Sequence, residues 1–138
     1  MEWVSDQGSA RARLNDAQVF CDRVHRHRAP VDVLFRALTD KEAKWWLQLQ
    51  PGEVEPEVLE AVPFEHVVWS SFWPVSPEDT IVFDISGSGP RCSVRFRWFS
   101  DSPPDDRGIG ITRQRLNRKF GADIRSVVSD YYWSTREP

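Results

Sequence analysis

The stretch from Asp106 to Tyr132 limits the fold more than any other part of the chain. Ile109, Leu116, Phe120, Ile124, Val127, Val128 and Tyr131 recur mostly at spacings of seven, four and three. That period places them on one face of a helix. Arg113, Arg115, Arg118, Lys119, Arg125 and Asp130 fall on the opposite face and are expected in water. At 1.5 Å per residue an unbroken helix here runs roughly 35–40 Å. A helix with one apolar stripe has to bury it against another layer. Asp105 or Asp106 suits the helix start, where a carboxylate satisfies free N–H groups. Gly108 and Gly110 weaken the first turn and predict a late start, near Ile111.

The layer to receive that stripe is read upstream. Arg91 to Phe99 alternates Cys92, Val94, Phe96 and Trp98 with Arg91, Ser93, Arg95 and Arg97, which reads as a half-buried strand with one basic face. Asp79–Ile85 and the turn Ser86-Gly87-Ser88-Gly89-Pro90 precede it. Glu57 to Val62 and Glu65 to Phe72 are two further strands around Pro63-Phe64. Gln18 to Arg28 is the first strand; neither of its faces is cleanly apolar, so its inward side stays open. Between it and the others, Val31 to Leu38 reads as a short helix behind Pro30. A second short helix, Asp40 to about Leu47, is expected behind a capping box of Thr39 and Glu42. Helices segregated from an antiparallel sheet make the class α+β. Met1 to Asp16 reads as a flexible tail, leaving 17–138 as one domain.

The totals exclude several functions. A net charge of −3 gives no general attraction to nucleic acid. No apolar run is long enough for a membrane span, and the first residues lack the apolar core of a signal peptide. Cys21 and Cys92 are too few for a disulfide scaffold and suit a reduced, cytoplasmic protein. No phosphate-binding loop, nucleophile elbow, zinc-protease motif or dinucleotide glycine pattern occurs. Seven Trp and eight Phe stand out, because large aromatics fill cores and also line pockets.

The run Ala29-Pro30-Val31-Asp32-Val33-Leu34-Phe35-Arg36-Ala37-Leu38-Thr39-Asp40, followed by Trp45-Trp46, resembles the START-like, or Bet v 1-like, helix-grip superfamily (SRPBCC). Gly52 to Ser70 resembles the strand pair of the same superfamily. Its polyketide cyclase/dehydrase branch and its branch related to activators of the Hsp90 ATPase are the nearest in pattern. The resemblance implies a curved antiparallel sheet gripping the long C-terminal helix, with a cavity between them for a lipid, polyketide or other apolar molecule. The chain departs in two places: the segment after Trp46 is short, so one strand of the superfamily is shortened or lost, and His27 stands two residues before Ala29 where an aliphatic residue is usual.

Three groups of residues carry candidate functions. Trp45, Trp46, Trp69, Trp73, Phe83, Phe96 and Trp98, with Phe120 and Ile124 of the helix, are the expected wall of a site for a small, ring-bearing apolar ligand; the alternative is a filled core. His25 and His27 share one strand face, and if it points inward they can act as proton acceptors near neutral pH. Asp84, opposite in phase to Ile81, Phe83 and Ile85, is a candidate carboxylate for a ligand or for Arg95. These three make a cyclase or dehydratase the enzymatic alternative. A His25, His27 and His66 metal site is conceivable, but no metal and no cofactor is expected. The arginines of the last strand and the helix suggest a third reading, a protein-interaction surface of the Hsp90-activator kind. A homodimer is kept as a candidate assembly.

Overall fold

The computed structural model describes residues 17–128. The tail assigned to Met1–Asp16, and the helix positions Asp130, Tyr131 and Tyr132, lie outside the described residues. Five strands form one antiparallel sheet: β1 Gln18–His27, β2 Val58–Val62, β3 His66–Trp69, β4 Thr80–Ser88 and β5 Arg91–Ser100. Their order across the sheet is β1-β5-β4-β3-β2, so the chain crosses from one edge to the other between β1 and β2. That crossing carries α1, Val31–Thr39, and a 3-10 turn, Glu42–Trp46. The long helix α2 begins at Asp106–Arg118 and continues helically to residue 128. The architecture is α+β, an open sheet with a long C-terminal helix against it.

Strand alternation sorts the two sheet faces. Val67, Trp69, Ile81, Phe83, Ile85, Cys92, Val94, Phe96 and Trp98 pack in one core with Leu116, Phe120, Ile124 and Val128 of the helix. The outer face has its own small cluster of Val68, Val82 and Phe99. Burial of the inner set removes enough apolar surface to hold the helix, at about 1.5–3 kcal/mol for each large side chain. In the β4–β5 hairpin, a Cβ on Gly87 would sit 2.5 Å from the Arg91 carbonyl oxygen, so the turn admits only glycine there.

The tryptophans do polar work as well. The indole N–H of Trp46 donates to the Ala37 carbonyl (3.2 Å) and that of Trp69 to the Leu38 carbonyl (2.8 Å). Both carbonyls belong to the last turn of α1, where a helix has no acceptors' partners of its own. The Trp98 indole donates to Asp79 (3.0 Å), a carboxylate whose pKa burial pushes up. Aromatic burial and helix termination are thus the same contacts.

The helix ends differ from the expected caps. Asp105 accepts from the Gly108 amide (2.8 Å), and this cap starts α2 at Asp106 in spite of Gly108 and Gly110. The Thr39–Glu42 capping box does not form. Asp40 takes the cap, accepting from the Glu42 amide (2.9 Å), while the Thr39 hydroxyl bonds back to the Phe35 carbonyl (2.8 Å). The segment it opens is a short 3-10 turn.

Lys119, expected in water, is only 2% exposed. The cause is a π-helical turn at Lys119–Asp123, in which the Ile124 amide reaches back to the Lys119 carbonyl. The wider turn brings Lys119, Phe120 and Gly121 inward together. The Lys119 ammonium meets Glu53 at 2.9 Å and the Gln48 carbonyl. The short segment after Trp46 is held in this way. It also follows the chain beyond β3, with the Val54 amide on the Phe72 carbonyl (2.7 Å) and the Ser70 amide on the Glu57 carbonyl (2.8 Å). A loop pinned by an ion pair occupies the stretch where the resemblance implied a strand shortened or lost.

Candidate ligand site

The aromatics named from the sequence divide into two environments. Trp46, Trp69, Phe83, Phe96, Trp98, Phe120 and Ile124 are brought together between sheet and helix, each at most 2% exposed. Phe120 is their hub: its ring centroid lies 4.8 Å from Phe83, 5.0 Å from Phe96, 5.5 Å from Trp69 and 6.3 Å from Trp46. These are ordinary edge and tilted packing distances. Trp73 closes the same core at its edge, 5.5 Å from Trp98. Rings at such spacings occupy the space between sheet and helix that the resemblance reserves for a ligand.

Trp45 is elsewhere. It is 68% exposed and lines a surface groove of about 610 Å³ with Val33, Phe35, Ala43, Phe64 and Val127. The groove runs between α1, the 3-10 turn, the β2–β3 turn and the far end of the described helix. Asp32, Arg36 and Glu42 supply its polar rim, where Arg36 also pairs with Asp40 (3.3 Å).

Phe64 is the residue that sequence reasoning missed. It is 48% exposed and packs edge-on to Phe35, with centroids 5.6 Å apart. The turn Val62-Pro63-Phe64-Glu65 closes with the Glu65 amide on the Val62 carbonyl (3.0 Å), and Phe64 has φ +66°. Proline followed by positive φ is the pattern of a type II turn, whose third position favours glycine. A phenylalanine there costs about 1 kcal/mol in backbone strain. The signal was present in the sequence: Pro63-Phe64 between two strands puts a bulky ring where the turn wants none.

The candidate proton-transfer residues are not brought to one place. The His face of β1 points inward. The His25 Nε2–H donates to Asn117 Oδ1 (2.8 Å), and the ring stacks on Phe96. Gly121 makes room for it, since a Cβ there would lie 2.9 Å from the His25 ring. His27 is 3% exposed, and neither ring nitrogen has a well-formed hydrogen bond. Burial first, then the positive Arg125 nearby and His25, lowers its pKa from 6.5 to about 4; the Phe120 backbone offsets this only in part. Asp84 is on the outer face. It holds His66 Nδ1 at 2.9 Å and Arg97 at 2.7 Å, not Arg95 as expected. Arg95 forks onto Asp22 at 2.9 and 2.7 Å. A sheet therefore separates Asp84 and His66 from His25 and His27. The three-histidine metal site is excluded by this geometry, and among the described residues no three His, Cys, Asp or Glu side chains gather as a ligand set.

The two cysteines sit on adjacent strands but out of register, Cys21 opposite Trp98 and Cys92 opposite His27. Both are free and buried, and burial pushes the Cys92 thiol up to about 11. Among the described residues no helix is long and apolar enough to cross a membrane.

No family model matches the chain, and no curated protein matches it. Solved structures do. The Aha1 dimer from Colwellia psychrerythraea matches with a TM-score of 0.60 and 17% identity, over 78% of this chain and 95% of that one. CalU16 from Micromonospora echinospora, in its solution structure, matches at 0.55 and 16%, over 79% and 74%. An HSP90 activator from Plasmodium falciparum matches at 0.52 and 14%, over 70% and 84%. At these identities the likeness is one of architecture: the chain has the helix-grip fold, an open antiparallel sheet closed over by its C-terminal helix.

Proposed function

We propose that the chain binds a small, ring-bearing apolar molecule in the groove between Trp45 and Phe64. The observation that carries this reading is Phe64, a large ring kept exposed at a turn position where it costs backbone strain. Strain of this kind persists where a function uses it. The groove volume of about 610 Å³ falls within the range of small-molecule sites. Its walls are aromatic and aliphatic, and its few polar groups lie at the rim, suited to a ligand with one polar end. The site is moved outward from the sheet–helix interior because Phe120 and its neighbours fill that interior.

A protein-interaction reading is favoured by the same exposed Trp45 and Phe64, since tryptophan and other aromatics anchor protein interfaces. One of the matched structures is titled an HSP90 activator. The volume and concavity of the groove favour the small molecule. The enzymatic alternative has less support, with His25, His27 and Asp84 divided between two faces of the sheet.

Titration calorimetry with 1-naphthol tests the proposal on the wild type, Trp45→Ala and Phe64→Gly. Each variant is expected to weaken binding by about 5- to 30-fold, the loss of one ring contact worth about 1–2 kcal/mol. Phe64→Gly relieves the turn, so its stability should change by less than about 1 kcal/mol while binding falls. Equal affinity in all three proteins would remove the groove from consideration.

A further inference from the structure

A second pocket, of about 460 Å³, opens where β1 ends beside the β4–β5 hairpin. Arg26, Arg28 and Arg91 line it with the hydroxyls of Ser86 and Ser88, and none of its lining residues is acidic. None of the three arginines pairs with a carboxylate among the described residues, although the chain as a whole is acidic. Elsewhere on the same sheet Arg95 is neutralised by Asp22 and Arg97 by Asp84.

His27 borders the pocket, but its ring points inward to the helix side, beside Phe120 and Arg125, with both nitrogens closed off from solvent. The donors available to a ligand here are the guanidinium groups and the serine hydroxyls.

We propose that this pocket binds a phosphate group, as free phosphate or as the phosphate of a monoester. Arg28 and Arg91 supply guanidinium forks, which match phosphate oxygens in pairs. Ser86 and Ser88 supply hydroxyl donors. Three cations with no carboxylate partner among the described residues suit a dianion better than a single carboxylate. The site is independent of the Trp45–Phe64 groove, and its test does not depend on that reading.

Amide NMR titrations near neutral pH provide the test, with ionic strength held constant by sodium chloride. The probes are inorganic phosphate and glycerol 3-phosphate. Co-sedimentation with phosphatidylcholine vesicles, with and without phosphatidic acid, forms a separate arm. Saturable shifts are expected in the Ser86–Ser93 hairpin and at Arg28. Arg28→Gln with Arg91→Gln should weaken binding by about tenfold for each arginine lost. Arg28→Lys with Arg91→Lys, which keeps charge without the fork, should fall between. Tighter binding of the soluble monoester identifies a free ligand, and capture only by phosphatidic acid vesicles identifies a lipid headgroup; either supports the site. Shifts that do not saturate, that map to Arg115 and Arg118 instead, or that are unchanged in the double glutamine variant would overturn it.

Discussion

His27 makes stability depend on pH in a window that can be worked out beforehand. In the unfolded chain its imidazole has a pKa near 6.5; in the fold, burial and nearby positive charge lower it to about 4. The folded state therefore binds the proton less readily. As pH falls below 6.5 the unfolded chain takes up a proton that the folded one refuses, and stability drops. The contribution is whole above 6.5, erodes between 6.5 and 4, and is gone below 4. At 1.36 kcal/mol per pKa unit the loss across that window is about 3 kcal/mol. His27→Gln keeps a neutral polar side chain that does not titrate. Urea denaturation of both proteins, from neutral pH to about pH 4, isolates the effect as the difference between two curves. The lowered carboxylate pKa values of Asp22 and Asp40 and the raised one of Asp79 are common to both proteins and cancel. The stability difference should shift by about 3 kcal/mol against the wild type as pH falls. A shift under ~0.5 kcal/mol, or a His27 ring proton titrating near 6.5 by NMR, would refute the reasoning.

Gly121 and His25 should behave as a coupled pair. Gly121→Ala alone gains about 1 kcal/mol of helix propensity but drives a methyl into the His25 ring, for a net loss of about 1–2 kcal/mol; in a His25→Ala background the same change should stabilise, as thermal melts of the four proteins will show. The Lys119–Glu53 pair should be asymmetric. Glu53→Gln strands a buried ammonium and should cost about 3–5 kcal/mol in urea denaturation, whereas Lys119→Met leaves Glu53 with Arg115, 4.0 Å away, and should cost about 1–3 kcal/mol.

The elements that depend on local pattern were legible. The alternation of Cys92, Val94, Phe96 and Trp98 named the inner face of β5, and Leu116, Phe120, Ile124 and Val128 named the buried stripe of α2. What was not legible depends on phase or on partners across strands. The π-turn that buries Lys119 shifts the helix by a fraction of a turn, and no periodic count over the sequence registers it. The phase of Asp84 against Ile81, Phe83 and Ile85 was legible, but not that its face is the outer one, nor that the ion pairs cross diagonally, Arg95 to Asp22 and Arg97 to Asp84. Composition suggested a ring-lined site, yet only packing separates rings that fill a core from rings that wall a pocket. Trp45 and Trp46 are neighbours in sequence, and they fall on opposite sides of that line.

The account rests on where an apolar ring binds: in the outer groove, with the sheet–helix interior closed. Methyl NMR of the protein titrated with 1-naphthol tests this directly. Saturable shifts at Val33, Ala43 and Val127, with Ile81, Ile85 and Ile124 unmoved, are the predicted result. Shifts centred on Ile81, Ile85 and Ile124 would place the ligand among the core rings and contradict it.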